Sequence, residues 1–151
     1  MSNEFKDLIG DFTEEQRANY ELCMKYPILV PINDSEFQYE YTMLDFFPTG
    51  WRQAFGEQWA QEVQEAINKL PQDLQSDACI LGVKEKWNQL FVCLNVHSDE
   101  LQAVLSKYEK LSEYICVKCG KHKVRKFGGW VMYLCDSCEQ ELQDKRKNSR
   151  S

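Results

Sequence analysis

Histidine is scarce in this chain, with two, His97 and His122, among 151 residues. His97 has no cysteine or carboxylate constellation around it in the sequence. It reads as a structural corner residue, and histidine-based acid–base relays have no second partner. Long apolar runs are missing as well. No stretch of about 18 apolar residues occurs, so a membrane-spanning helix is not expected. The N-terminal MSNEFKDLIGDF is acidic and lacks an apolar run of signal-peptide length, which predicts an intracellular protein. There is no P-loop, no GxSxG, no HExxH and no dinucleotide-binding glycine pattern. Internal repeats are also missing. Glu57, Glu62 and Glu65 share one expected helix, but nothing singles them out as an acid–base pair. Together these absences leave no reaction legible in the sequence, and no enzyme is expected.

What is present is cysteine, seven residues in all. Cys116 and Cys119 form one CxxC pair, Cys135 and Cys138 a second, with 15 residues between the pairs. Two such pairs at this spacing predict a structural zinc site. Each pair sets two thiolates on a tight turn, and the intervening loop has room for a short hairpin. Four thiolates close a tetrahedron and leave no open position for substrate, so one structural Zn²⁺ is expected, and the segment should collapse without it. His122 lies three residues after Cys119 and is a possible substitute ligand, but four thiolates already complete the shell, so it reads as a surface residue. Cys23, Cys79 and Cys93 stand singly in apolar patterns and read as small core hydrophobes. Free thiols beside a thiolate site fit a reducing compartment.

The rest of the chain predicts an α+β body. Its composition, 43% hydrophobic and 13% aromatic, is enough for a real core. Thr13 and Gln16 form a capping-box pair, predicting a helix over 14–25 that buries Tyr20, Cys23 and Met24. PILVPIND reads as an extended connector, and 36–44 alternates partly, as a strand would. Pro48 and Gly50 mark a turn, and Thr49 is placed to cap a helix over 51–69. Phe55, Trp59, Val63, Ala66, Ile67 and Leu70 give that helix one apolar stripe. Gly56 interrupts it, which predicts close approach of another backbone. Pro71 ends it. Strands over 78–86 and 90–96 flank a turn at Trp87, Asn88 and Gln89. Cys79, Leu81 and Val83 should share the buried face of the first, and Leu90, Val92, Leu94 and Val96 that of the second. Ser98 caps a third helix with an inner stripe of Leu101, Val104, Leu105, Tyr108, Leu111 and Tyr114.

That helix runs into Cys116 without a linker, so the zinc module should pack on the body. Three parts are expected: an acidic body over 1–115, a zinc module over 116–145, and a disordered basic tail over 146–151. Within the module, the order is knuckle at 116–121, hairpin around Gly128 and Gly129 whose second strand ends at Cys135, then a helix with Cys138 in its first turn that runs to about Gln143. This order resembles treble-clef zinc fingers.

Charge divides along the same line. Residues 1–115 hold 9 Lys and Arg against 20 Asp and Glu; residues 116–151 hold 9 against 4. The body should repel nucleic acid and the module attract it. Lys118, Lys121, Lys123, Arg125 and Lys126, with Trp130, are candidate nucleic-acid contacts, through phosphate pairing and base stacking. The competing reading is that these cations offset the net negative charge of Zn²⁺ with four thiolates. Phe46, Phe47 and Trp51 are candidate protein contacts, against the alternative that they are core.

The segments FPTGWRQAFGEQW, VKEKWNQL, KYEKLSEYICVKCGK and GGWVMYLCDSC, in this order, resemble a group of small proteins often encoded by bacteriophages and prophages. The similarity covers roughly residues 45–140 and rests on Pro48, Gly50, Trp51, Ala54, Phe55, Gly56, Lys84–Lys86, Lys107–Glu109 and the four paired cysteines. At the hairpin turn that family usually has glycine, where this chain has Asn88 and Gln89. The resemblance implies a phage setting in a bacterial cytoplasm. By association, it also implies an accessory protein that binds and modulates a host or phage protein. It implies no activity of its own.

Overall fold

Thr13 opens the first helix, α1 (Glu14–Lys25), as expected. Its hydroxyl accepts from the Gln16 amide at 3.1 Å, and its own N–H donates to Gln16 Oε1 at 2.8 Å. This computed structural model describes residues 10–32, 36–86, 89–121 and 135–150, with side chains through 148. The inner face of α1 is Asn19 and Cys23, one turn apart. Tyr20 is only half-buried and Met24 is 60% exposed, unlike the expected stripe. Met24 follows Cys23 directly and so points about 100° away from it.

The expected connector after α1 is a single 3₁₀ turn, Pro27–Leu29. An extended strand would send Ile28 and Leu29 to opposite faces, whereas the turn buries both. The expected strand over 36–44 does not form either. Tyr39 adopts a left-handed backbone (φ 62°), and a second 3₁₀ turn covers Met43–Phe46. Local bonds compete with strand pairing here. Thr42 N–H donates to Asp45 Oδ2 at 2.7 Å, and Thr42 Oγ1 accepts from Leu44 N–H at 3.2 Å.

Three abutting segments make the central helix α2: α-helical Thr49–Trp51, a π-helical turn Arg52–Gly56, and α-helical Glu57–Ile67. Trp51, Phe55, Trp59, Val63 and Ile67, each four residues apart, are all at most 3% exposed. Four residues overshoot a 3.6-residue turn by about 40°, so this stripe would wind off the core in an ideal helix. The wider π turn takes part of that drift back. Helix α2 stops at Ile67, and Pro71 begins a short exposed helix, α3 (Gln72–Asp77), that periodicity did not suggest.

Strands β1 (Ile80–Lys86) and β2 (Gln89–Leu94) pair antiparallel, with Val83 opposite Val92. Residues 87 and 88 of the expected turn lie outside the described residues. A register irregularity between Ile80 and Gly82 leaves Leu81 as an extra residue. It reverses the expected facing, so Ile80 is buried and Leu81 is 54% exposed. Past the irregularity, Val83, Leu90, Val92 and Leu94 pack on the core as expected.

Helix α4 (Asp99–Ser112) is capped by Ser98, whose hydroxyl accepts from Leu101 N–H at 3.1 Å. It packs against both the Glu57–Ile67 part of α2 and β2. Leu101, Val104, Leu105 and Tyr108 face the core, but Leu111 and Tyr114 are 37% and 42% exposed. The Tyr108 hydroxyl donates to Glu62, which also accepts from Lys107 Nζ at 2.7 Å. Glu62 is thereby committed to joining α2 and α4.

The last helix, α5 (Asp136–Arg150), extends past the expected end at Gln143 and takes in most of the expected basic tail. Its run of Glu, Gln, Lys and Arg favours helix, with acids at the N-terminal end and bases at the C-terminal end. The fold is therefore α+β, helices on a two-stranded antiparallel sheet, with four cysteines clustered in the C-terminal region. Among the described residues, no helix is long and apolar enough to cross a membrane.

Candidate metal centre

After Ser112 the backbone tightens. The N–H groups of Glu113, Tyr114 and Ile115 donate back to the carbonyls of Lys110, Leu111 and Ser112. The knuckle follows at once. Cys116 N–H donates to the Lys121 carbonyl at 2.8 Å, and Gly120 N–H to the Cys116 carbonyl at 3.0 Å. Gly120 makes the return with φ +78°, which glycine adopts without a steric penalty. This turn brings Cys116 and Cys119 onto one side. The second pair sits at a helix start: the Cys135 carbonyl accepts from Glu139 N–H at 2.9 Å, and Cys138 lies in the first turn of α5.

The topology brings all four sulfurs within 4.8 Å of one another, with Cys119 and Cys135 at 3.6 Å. A tetrahedron with metal–sulfur bonds of about 2.3 Å has edges of about 3.8 Å. The observed cluster is close to that size, and the donor set is all sulfur, so it can hold a metal ion. Cys116 and Cys138 are buried, and Cys119 and Cys135 half-buried. All seven cysteines are free thiols.

The thiols are electrostatically unequal. Burial pushes the Cys116 thiol up, but the backbone N–H groups of Cys119, Cys135 and Lys118 outweigh it, with help from the Cys119 side chain, and bring it down to about 6. Burial and the neighbouring sulfurs push Cys138 up to about 12. For Cys119 the Lys121 backbone N–H and the Cys138 side chain pull the thiol down, but burial and the Cys135 and Cys116 side chains together raise it. The amides facing Cys116 favour its thiolate, the form in which cysteine ligates a metal.

The knuckle is locked onto the start of α2. Gly50 N–H donates to the Val117 carbonyl at 2.7 Å, and the Trp51 indole N–H donates to the Ile115 carbonyl at 2.8 Å. A Cβ on Gly50 would lie 2.1 Å from the Cys116 carbonyl oxygen, and a Cβ on Gly120 would lie 2.6 Å from the Gly50 carbonyl oxygen. Two glycines therefore meet backbone to backbone. The close backbone approach expected at Gly56 is found here instead; the atoms nearest a Cβ on Gly56 would be side-chain carbons of Arg52 and Leu44. Thr49 makes no cap bond, contrary to expectation. The knuckle meets the first turn of α2 in its place.

Other sequence candidates separate. Phe47 and Trp51 are 5% and 0% exposed and belong to the core, while Phe46 is 56% exposed. Lys118 is exposed and pairs with Glu141 of α5 at 3.7 Å, tying the two cysteine turns together. Lys121 is exposed. His122, Lys123, Arg125, Lys126 and Trp130, with the expected hairpin, lie outside the described residues. Of the lone cysteines, Cys23 is buried as expected, but Cys79 is half-buried and Cys93 exposed. His97 is exposed.

Comparison with protein-family models, with curated proteins and with solved structures returns no match. The reading of this centre rests on its own geometry.

Proposed function

We propose that this chain is a metal-stabilised, non-enzymatic binding protein. Cys116, Cys119, Cys135 and Cys138 hold one structural Zn²⁺, and the acidic body contacts a host or phage protein and modulates it. The observation that carries the metal half is the cluster of four sulfurs within 4.8 Å. An all-thiolate tetrahedral donor set suits Zn²⁺ and leaves no position for a reacting ligand.

Two hollows bear on the binding half. The cavity beside the hairpin and α4, lined by Trp59, Leu90 and Glu109 among others, holds about 160 Å³, below the size of ordinary ligand pockets. The hollow beside the Pro27–Leu29 turn holds about 430 Å³, but its Gln64 is already committed, accepting from Ile28 N–H and donating to Asn68. The phage setting is carried by the resemblance alone.

Elemental analysis of freshly purified protein should find one zinc per chain, and finding no metal would sink the metal half. Capture from a bacterial lysate after nuclease treatment should retain one dominant protein. A second reading, nucleic-acid binding by the C-terminal part, is favoured by the exposed Lys118 and Lys121 on the knuckle and by the positive balance of 116–151. Partners lost with nuclease would select it.

A further inference from the structure

We infer that the hollow between residues 27–32 and helix α3 is a binding site for a small aliphatic amine, taken up as its ammonium ion. None of the four clustered cysteines lines it, and the inference goes beyond the partner reading without resting on it. Its volume of about 430 Å³ falls within the range of ordinary ligand pockets, about 300–1,000 Å³. Val30, Pro31 and Ile32 supply apolar lining, and Gln75, Ser76 and Asp77 of α3 supply polar lining. Val30 and Ile32 are 37% and 36% exposed, so their carbon stays in water until something covers it.

The hollow is held in shape by bonds across the chain. Ile28 N–H donates to Oε1 of the buried Gln64 at 2.8 Å, and Gln64 Nε2 donates to Asn68 at 3.0 Å. Asn95 clasps the link from α3 to β1: its Oδ1 accepts from Cys79 N–H at 2.8 Å, and its Nδ2 donates to the Asp77 carbonyl at 2.7 Å. Gln75 Nε2 donates to the carbonyls of Asn68 and Leu70 at 2.9 and 2.6 Å. A site ordered in advance removes a cost that would otherwise fall on binding.

The same bonds decide which polar groups stay open. Gln64 is engaged at both ends of its amide. Gln75 uses both amide hydrogens, which leaves Oε1 to accept. Ser76 Oγ donates to the Gln72 carbonyl at 3.1 Å and keeps its lone pairs. Asp77 is the one charged residue among the described residues that line the hollow, and no ion pair among the described residues engages its carboxylate. What α3 offers the hollow is therefore acceptors, one of them anionic. An ammonium brings three N–H donors, a positive charge and no acceptor, and its aliphatic stem covers the apolar lining. An anion would meet the Asp77 carboxylate instead and is repelled.

The test titrates the zinc-loaded full chain with cyclohexylmethylamine, and with the neutral cyclohexylmethanol as control, following backbone amides by ¹H–¹⁵N NMR. The amine should move the signals of Ile28, Ile32, Ala78 and Cys79 saturably, and the alcohol should bind roughly tenfold more weakly. Asp77→Asn keeps the side chain's shape and should weaken the amine by a similar roughly tenfold factor. Asp77 is exposed, so the melting temperature should hold. Ile32→Ser should weaken amine and alcohol alike, because it removes apolar lining that both use. Equal binding of amine and alcohol, an affinity unmoved by Asp77→Asn, or unsaturated shifts scattered over the acidic body overturns the inference. Lysate capture distinguishes a protein occupant. If the amine fails to bind while Asp77→Asn releases a nuclease-resistant protein that wild type retains, the hollow is a partner contact and the small-ligand inference is wrong.

Discussion

Gly50 stands at the second residue of a helix, where Ala is ordinarily the better residue by up to about 1 kcal/mol. Here a methyl group would fall 2.1 Å from the Cys116 carbonyl oxygen. Gly50→Ala should therefore destabilise the protein by about 3 kcal/mol, read as a lower denaturation midpoint. A raised midpoint would mean that helix propensity wins and the glycine contact is not close. Trp51→Phe keeps the ring in the core but leaves the Ile115 carbonyl without its indole donor. It should cost about 1–3 kcal/mol, measured in the same way. Cys23 adds a pH dependence. Burial pushes its thiol from 9.0 to about 11. The folded state keeps this proton longer than the unfolded chain does. The resulting stability is fully present below about pH 9 and is lost as pH rises towards about 11, by up to about 3 kcal/mol. Cys23→Ala should flatten that alkaline decline in denaturant titrations, whatever it costs at neutral pH.

At the scale of elements, caps and turns decide boundaries. The Thr13 and Ser98 caps were legible because an N-cap needs one oxygen at one position, a requirement written into neighbouring residues. Ser98→Ala should cost about 1 kcal/mol, checked by thermal melting, since it removes the acceptor for Leu101 N–H. The strand expected over 36–44 and the facing of β1 were not legible. Alternation in EFQYEYTML suits a strand, but Thr42 and Asp45 satisfy each other's neighbourhood locally, and the rings stack on one another. In β1 one irregular residue reverses facing, because side chains alternate with period 2. The π turn in α2 is of the same kind. Its local sequence has no distinct signature, and the need for it comes from keeping Trp51 and Ile67 on one face.

For the whole molecule, the consequence of the Gly50–Gly120 contact is coupling. A tethered zinc module would melt independently of the body. Here Ile115 and Val117 bond to the first turn of α2, so metal removal should be felt in the core. Chelation should shift the main thermal transition of the full chain downward and change tryptophan fluorescence, because Trp51 loses its fixed partner. An unmoved main transition in calorimetry would show two independent units. The cysteine spacing alone picked out the four residues that the fold gathers into one cluster able to hold a metal ion, and the patterns at 14–25 and 99–112 sufficed for two helices. What only the tertiary structure decided is which glycine is indispensable, which aromatics are core and which are surface, and where the knuckle docks. Those properties belong to pairs of segments that meet only in the folded chain, such as Phe47 with Trp59 and, 64 residues apart, Trp51 with Ile115, and no local pattern encodes a contact whose partner is elsewhere in the chain.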